Sequence, residues 1–309
     1  MLKYIIRRIV LIVPVIIGLT LFIYLVLSLA PGDPVTLIMG QDATQEQLQA
    51  KRIELGMDKP VLVQYVNYMK TILRGDFGNS WVTGRPIITE FQQRAPHTLL
   101  LAIVTLMLTV IIGIPFGVLA AAKQNKPVDN ATLVFALIFS SIPAFWLGML
   151  IQILFALRLH LFPAMGVGSI RHIILPALTL SMVNLASQVR MTRSSMLDVI
   201  NQDYIRTARA KGSGEFRIIL RHVMRNGSLP VITSLGIAFA NAFGGAVVTE
   251  AVFSIPGIGS YMINGAKTRD IPIVMGIIIF VAIFVALVNL VVDLIYAFVD
   301  PRVKLGYMA

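Results

Sequence analysis

Between Ile9 and Ala30 the chain runs about 22 residues without a charged side chain, and five further apolar runs follow it. An α-helix rises 1.5 Å per residue, so about 20 such residues cross the ~30 Å hydrocarbon core of a bilayer. Inside lipid every backbone N–H and C=O must be satisfied within the protein, which leaves helices and closed barrels. The runs are too long for barrel strands. The expected fold is an all-α membrane protein of six transmembrane helices. The expected spans are Ile9–Ala30, His97 to about Ala122, Asn130 to about Leu157, Ile173–Met191, Leu229 to about Val252, and Pro272 to about Val299. A composition of 57% hydrophobic and 13% charged residues over 309 positions agrees, because soluble domains carry about twice that charged fraction.

The first run also resembles a signal peptide, with Lys3, Arg7 and Arg8 ahead of it and Ser28-Leu29-Ala30 as a small-x-small site. It exceeds the ordinary length of a signal core, and Pro31 directly after the site hinders cleavage. An uncleaved first helix is expected over residues 1–30. Residues 31–96 are the one long hydrophilic segment, with seven basic and seven acidic residues that cancel. Thr44-Gln-Glu-Gln47 forms a capping box opening a helix to about Leu55, and a second helix is expected from Pro60 to about Leu73. This segment reads as an ordered cap and residues 97–309 as the core. Gly113, Gly117 and Ala121, and again Gly236, Ala240 and Gly244, recur at four-residue steps that let helices approach closely. Pro143 falls near the middle of the third span, where Ser140 and Ser141 are placed to satisfy freed backbone groups.

The net charge of +11 is distributed by loop. The loops on the side of both termini carry Lys3, Arg7, Arg8, Lys123, Lys126, Arg190, Arg193, Arg206, Arg209, Lys211, Arg217, Arg221, Arg225, Arg302 and Lys304. The opposite loops carry Arg158, Arg171, Lys267 and Arg269. Fifteen against four places both termini in the cytoplasm by the positive-inside rule. The basic excess is then topogenic, and nucleic-acid binding loses its main support.

The longest polar interruption of the later apolar runs lies between Asp203 and Ser228, within a loop spanning 193–228. One helix running back to about Arg193 is expected to end at Gly212, where glycine enters the left-handed C-cap without a Cβ penalty. A second restarts with Ser213 as N-cap and Glu215 in its first turn. Phe216, Ile219, Leu220, Val223 and Met224 follow helical spacing, with Arg217, Arg221 and Arg225 on the other face. A solvated connector, a helix lying on anionic lipid, and a helix docked in the groove of a soluble partner all fit that pattern.

The run Arg206 to Gly212, RTARAKG, with the basic amphipathic helix after it, resembles the cytoplasmic "EAA" loop of ABC importer permeases of the peptide and nickel branch. Arg206 stands where that pattern has glutamate and Thr207 where it has its first alanine; Ala208 and Gly212 match. Ala30-PGDP, Leu55-GMDKP with Gln64-Tyr65, Gly75-DFGNS, FSIPGIG, RDIPIVMG and LVNLVVDLIYAFVDPR resemble other segments of the same family, over essentially the whole chain. The resemblance implies a permease subunit forming half of a translocation path. Its partners would be a homologous permease, two ATPase subunits that bind ATP and Mg, and an extracytoplasmic binding protein, in a bacterial inner membrane. Substrates of the family range over dipeptides, oligopeptides, glutathione, nickel chelates and opines. By the same resemblance the coupling contact falls on Asp203, Arg206, Thr207, Ala208, Arg209, Lys211, Gly212, Glu215, Phe216, Arg217, Ile219, Leu220, Arg221 and Val223.

Catalytic chemistry has little support within the chain. No Gly-x-x-x-x-Gly-Lys-Ser/Thr run exists to cradle phosphates, so the chain is not expected to be an ATPase. The chain has no cysteine, and its four histidines show no ligand spacing, so no metal site is expected. Gln152, Asn184, Gln188, Asn241 and Asn289 are deep neutral amides, which either line a path or bond helix to helix. Glu250 and Asp293 lie near opposite ends of different spans and read first as anchors. A secondary, ion-coupled transporter is the alternative class, although it would normally keep ionisable residues at the midplane.

Overall fold

The computed structural model describes residues 2–40 and 42–299; the tail Asp300–Ala309, including Arg302 and Lys304 of the charge count, lies outside the described residues. The described residues form thirteen α-helical elements and no strand, in this order. They are α1 (Leu2–Leu29), α2 (Pro34–Met39), α3 (Gln45–Glu54), α4 (Val61–Leu73), α5 (Ile87–Ala122), α6 (Pro127–Ser141), α7 (Ala144–Ile151, continued by a π-helical stretch Gln152–Arg158), and α8 (Ile170–Ile200). There follow α9 (Asp203–Ala210), α10 (Glu215–Ile218, continued by a π-helical stretch Ile219–Val223), α11 (Met224–Val252), α12 (Ile258–Thr268) and α13 (Ile271–Val299). Five helices are long and apolar enough to cross a membrane, or six if α6 and α7 together make one span.

That last pair departs from expectation. The third run folds as two helices bent by 102° rather than one span kinked at its middle. Pro143 has no N–H to continue the ladder, and Ile142 leaves helical geometry at ψ 129°, as residues before proline tend to. Ser140 and Ser141 do bond the last turn of α6, both donating to the Leu137 carbonyl at 3.1 and 2.8 Å.

The chain divides into two compact units. One comprises Leu2–Thr98 and Pro256–Phe284. In it α1 leaves most of its apolar side chains outward, with Val13, Val15 and Phe22 all more than half exposed, which water would penalise and lipid would not. Its buried stripe meets α4. The Tyr65 hydroxyl donates to the Ile17 carbonyl at 3.0 Å and lies 2.9 Å from the Thr20 hydroxyl, while Tyr24 donates to Gln64 at 3.0 Å. The Thr44 capping box is formed in both directions. Arg269, in the left-handed region at φ 55°, donates to the carbonyls of Ala30, Pro31 and Gly32 and so caps the end of α1. Asp270 beside it is fully buried and accepts from Ser80 at 2.6 Å and the Val82 N–H at 3.1 Å.

The other unit comprises Leu99–Ile255 and, among the described residues, 285–299. The small residues pack as their spacing implies at several positions. A Cβ on Gly117 would stand 2.4 Å from the Thr192 Cβ of α8, and one on Gly236 2.0 Å from a Val292 methyl; Gly244 faces open space. Ala121 and Ala240 are buried. α8 continues beyond the expected Met191 to Ile200, and Arg193 on it grips Asp129 at the start of α6 through two bonds of 2.7 Å.

Candidate functional site

The stretch after α8 is built on that extended helix. Residues 193–200 belong to α8, so the helix ending at Gly212 begins at Asp203 rather than near Arg193. It ends as expected. Gly212 has φ +81°, its N–H donates to the Arg209 carbonyl at 2.9 Å, and the Ser213 N–H reaches back to Ala208 at 3.2 Å, a Schellman closure. Gly214, not Ser213, occupies the next N-cap position, and no side chain caps it. Glu215 instead pairs across the joint with Arg209, at 2.6 and 3.3 Å. The carboxylate raises the pKa of Arg209, and both partners are more than a third exposed, so the pair sets direction more than stability.

The second helix is not a separate amphipathic segment. α10 passes through the π-helical stretch Ile219–Val223 directly into α11. In a π-helix the hydrogen bonds run i→i+5, which brings Ile218 and Val223 to one side. Both are fully buried, in a cluster with Ile205, Ala121, Met196 and Val231, and Ala208 packs partly buried against it. Ser195 donates to the Gly227 carbonyl at 2.6 Å, and Asn226 donates to the Tyr204 hydroxyl at 3.3 Å, fastening α8 and α9 to α11. The expected apolar face is therefore divided. Val223 points into the core, Ile219 and Met224 are half-buried, and Phe216 and Leu220 remain 77% and 49% exposed. Tyr204 of α9 is exposed to a similar degree.

Polar residues surround those apolar ones. Arg206, Arg209, Lys211, Arg217, Arg221 and Arg225 are all exposed, as are Asp203, Thr207 and Glu215. Asp203 lies 3.5 Å from Arg206, and its carbonyl accepts from Thr207 at 3.1 Å. The surface is thus one of exposed aromatic and aliphatic side chains among basic residues, on a loop whose inner side is locked to the membrane helices. The anchors Ile205 and Ile218 did not stand out in the sequence. Ile205 with Ala208 at i+3 gave a short-range signal, whereas Ile218 falls off the regular helical spacing and only the π stretch turns it inward.

The deep amides separate by role. Gln152 donates to the carbonyls of Ala164 and Val252, at 2.8 and 3.3 Å, and so fastens the π stretch after α7 to two other segments. Gln188 is buried, accepts from Ser234 at 3.0 Å and packs where Gly113 comes close. Asn184 bonds the Leu180 carbonyl of its own helix. Asn241 is exposed, Asn289 half-buried, and Glu250 fully buried.

Comparison with known proteins identifies the family. Residues 113–305 match the family described as "Binding-protein-dependent transport system inner membrane component", and residues 1–102 match its N-terminal companion. The chain belongs to this family. It is therefore a permease component of the inner membrane, of the ABC importer class. It is 40% identical to a probable peptide ABC transporter permease of Sinorhizobium fredii, over 97% of this chain and 99% of that one. It is 39% identical to the oligopeptide transport permease AppB of Bacillus subtilis, over 98% and 100%. The glutathione transport permease GsiC of Salmonella choleraesuis is 37% identical, over 98% and 99%. Among solved structures, a chain of the inward-facing MetNI methionine ABC transporter superposes with a TM-score of 0.62 at 17% identity, over 69% of this chain and 98% of that one.

Proposed function

We infer that this permease imports short peptides as one half of a translocation path whose energy comes from separate ATP-hydrolysing subunits. The observation that carries the reading is the divided loop at 203–225. Its inner side is fixed by Ile205, Ile218 and Val223, and its outer side offers Phe216, Leu220 and Tyr204 among six basic residues. An apolar anchor among exposed charges fits a groove on a soluble subunit, and the rigid inner side would transmit force from that groove into α8 and α11. ATP and Mg would then be bound by the partner. A peptide substrate is supported by the relatives' names, and an extracytoplasmic binding protein by that of the family. The fifteen-to-four charge bias supports six spans with both termini and the loop in the cytoplasm and residues 31–96 outside.

Reconstitution tests this. The chain with its copurifying subunits in liposomes should take up a labelled short peptide only with ATP and binding protein present, and the chain alone should do neither transport nor hydrolysis. Ion-driven uptake by the chain alone would overturn the assignment.

A further inference from the structure

A cavity of about 270 Å³ opens within the unit formed by residues 2–98 and 256–284. Its wall joins segments distant in sequence: Leu55 and Gly56, Gln64, the turn at Asp76–Asn79, and Ile271–Pro272. These belong to the very stretches of the cap and outer loop that carried the family resemblance, and energy coupling gives none of them a task.

We propose that this cavity binds the ammonium group of a small solute, and specifically the free amino end of a short peptide. Asp76 is the only formally charged residue in the lining, so an ammonium is favoured and an anion is opposed. One carboxylate oxygen is committed to the turn, accepting the Gly78 N–H at 2.8 Å where Gly78 has φ +74°. The side chain is exposed, and its other oxygen accepts no hydrogen bond among the described residues, so it is open to an incoming ammonium. Tyr68 and Trp81, both half-buried, supply aromatic wall of the kind that attracts a cation, while Tyr24 beside them is buried. Tyr24 donates to Gln64, and Gln64 donates to the Lys59 carbonyl, so these two groups are already engaged. Among the described residues the Asn67 side chain and the Trp81 indole N–H make no hydrogen bond, which leaves donors for the first peptide carbonyl. The volume is below that of drug-sized pockets, so it accepts a terminal residue or two rather than a whole extended ligand.

The choice of a peptide rests on the proposed substrate class; the ammonium specificity rests on the cavity alone. The chain contains two tryptophans, so Trp146→Phe leaves Trp81 as a reporter within the cavity. In this background, in lipid nanodiscs without ATPase subunits, trialanine should change Trp81 fluorescence saturably, and N-acetyl-trialanine should bind at least tenfold more weakly. Asp76→Asn keeps an acceptor for Gly78 and should weaken trialanine at least tenfold. Asn67→Phe, which narrows the cavity from an exposed helix position, should weaken it as well and guards against a folding defect in the first variant. Equal binding of both peptides, no saturable change, or unaltered affinity in the two variants would overturn the proposal. Such a failure leaves peptide uptake by the full assembly untouched. Trialanine binding without any peptide uptake would overturn the transport reading instead.

Discussion

Ile218 and Leu220 lie two residues apart in the loop at 203–225, and truncating each to alanine should have opposite consequences. Ile218 is fully buried in the cluster with Ile205 and Val223, whereas Leu220 is half exposed. Removing a buried isoleucine to alanine costs about 2–5 kcal/mol through lost transfer energy and the cavity left behind, while an exposed site moves stability by about 0.5 kcal/mol or less. At about 1.4 kcal/mol per decade, the first range is a roughly 30-fold to several-thousand-fold rise in local opening. Hydrogen–deuterium exchange of amides 203–225 in nanodiscs reads this directly. Ile218→Ala should accelerate exchange across the loop by that factor, and Leu220→Ala should leave it within about twofold to threefold. Leu220→Ala should nonetheless reduce copurification of the ATP-hydrolysing subunits, because its side chain is free to enter a partner. Exchange unchanged in Ile218→Ala, or raised equally in both, would refute the division of the loop into an anchored and an open side.

Three further outcomes follow from the packing and the charges. Arg193→Ala should destabilise more than Asp129→Ala by thermal unfolding, since the carboxylate is 1% exposed and would be stranded, whereas the guanidinium is 23% exposed and can reach water. The double variant should cost less than the sum of the two. Gly117→Ala should lose about 1–3 kcal/mol from overpacking against Thr192 and the Val189 carbonyl, while Gly244→Ala, with nothing near its Cβ, should be neutral or slightly stabilising on the same measurement. Reporter fusions after Asp76 and Gly168 should be extracytoplasmic and one after Gly212 cytoplasmic; an external signal at Gly212 would remove the loop from any ATPase.

Hydropathy and capping chemistry made much of this fold legible. The apolar runs place the long helices, Thr44 with Gln47 starts α3, and Gly212 closes α9 at the expected residue with the expected φ. The places that were not legible share a cause. Side-chain pattern reports which face is apolar but not the register of the backbone ladder, and the two π-helical stretches change that register at Gln152–Arg158 and Ile219–Val223. Val223 consequently faces the core rather than joining Phe216 and Leu220. The 102° corner at Pro143 was hidden for a related reason, because a kinked span and two helices meeting at a corner carry the same apolar composition. The Asp129–Arg193 pair joins residues 64 apart in sequence, and nothing local to either signals the other.

On this reading the exposed side of the loop seats in the ATP-hydrolysing subunit. A photo-crosslinking residue, p-benzoylphenylalanine, in place of Phe216 measures this most directly, because that position is 77% exposed and its replacement disturbs no packing. In the assembled transporter in native membranes, illumination should yield one dominant adduct containing the ATP-hydrolysing subunit, and Leu220→Asp in the same chain should abolish it. Adducts with lipid alone, or an ATPase adduct unchanged by Leu220→Asp, would contradict the account.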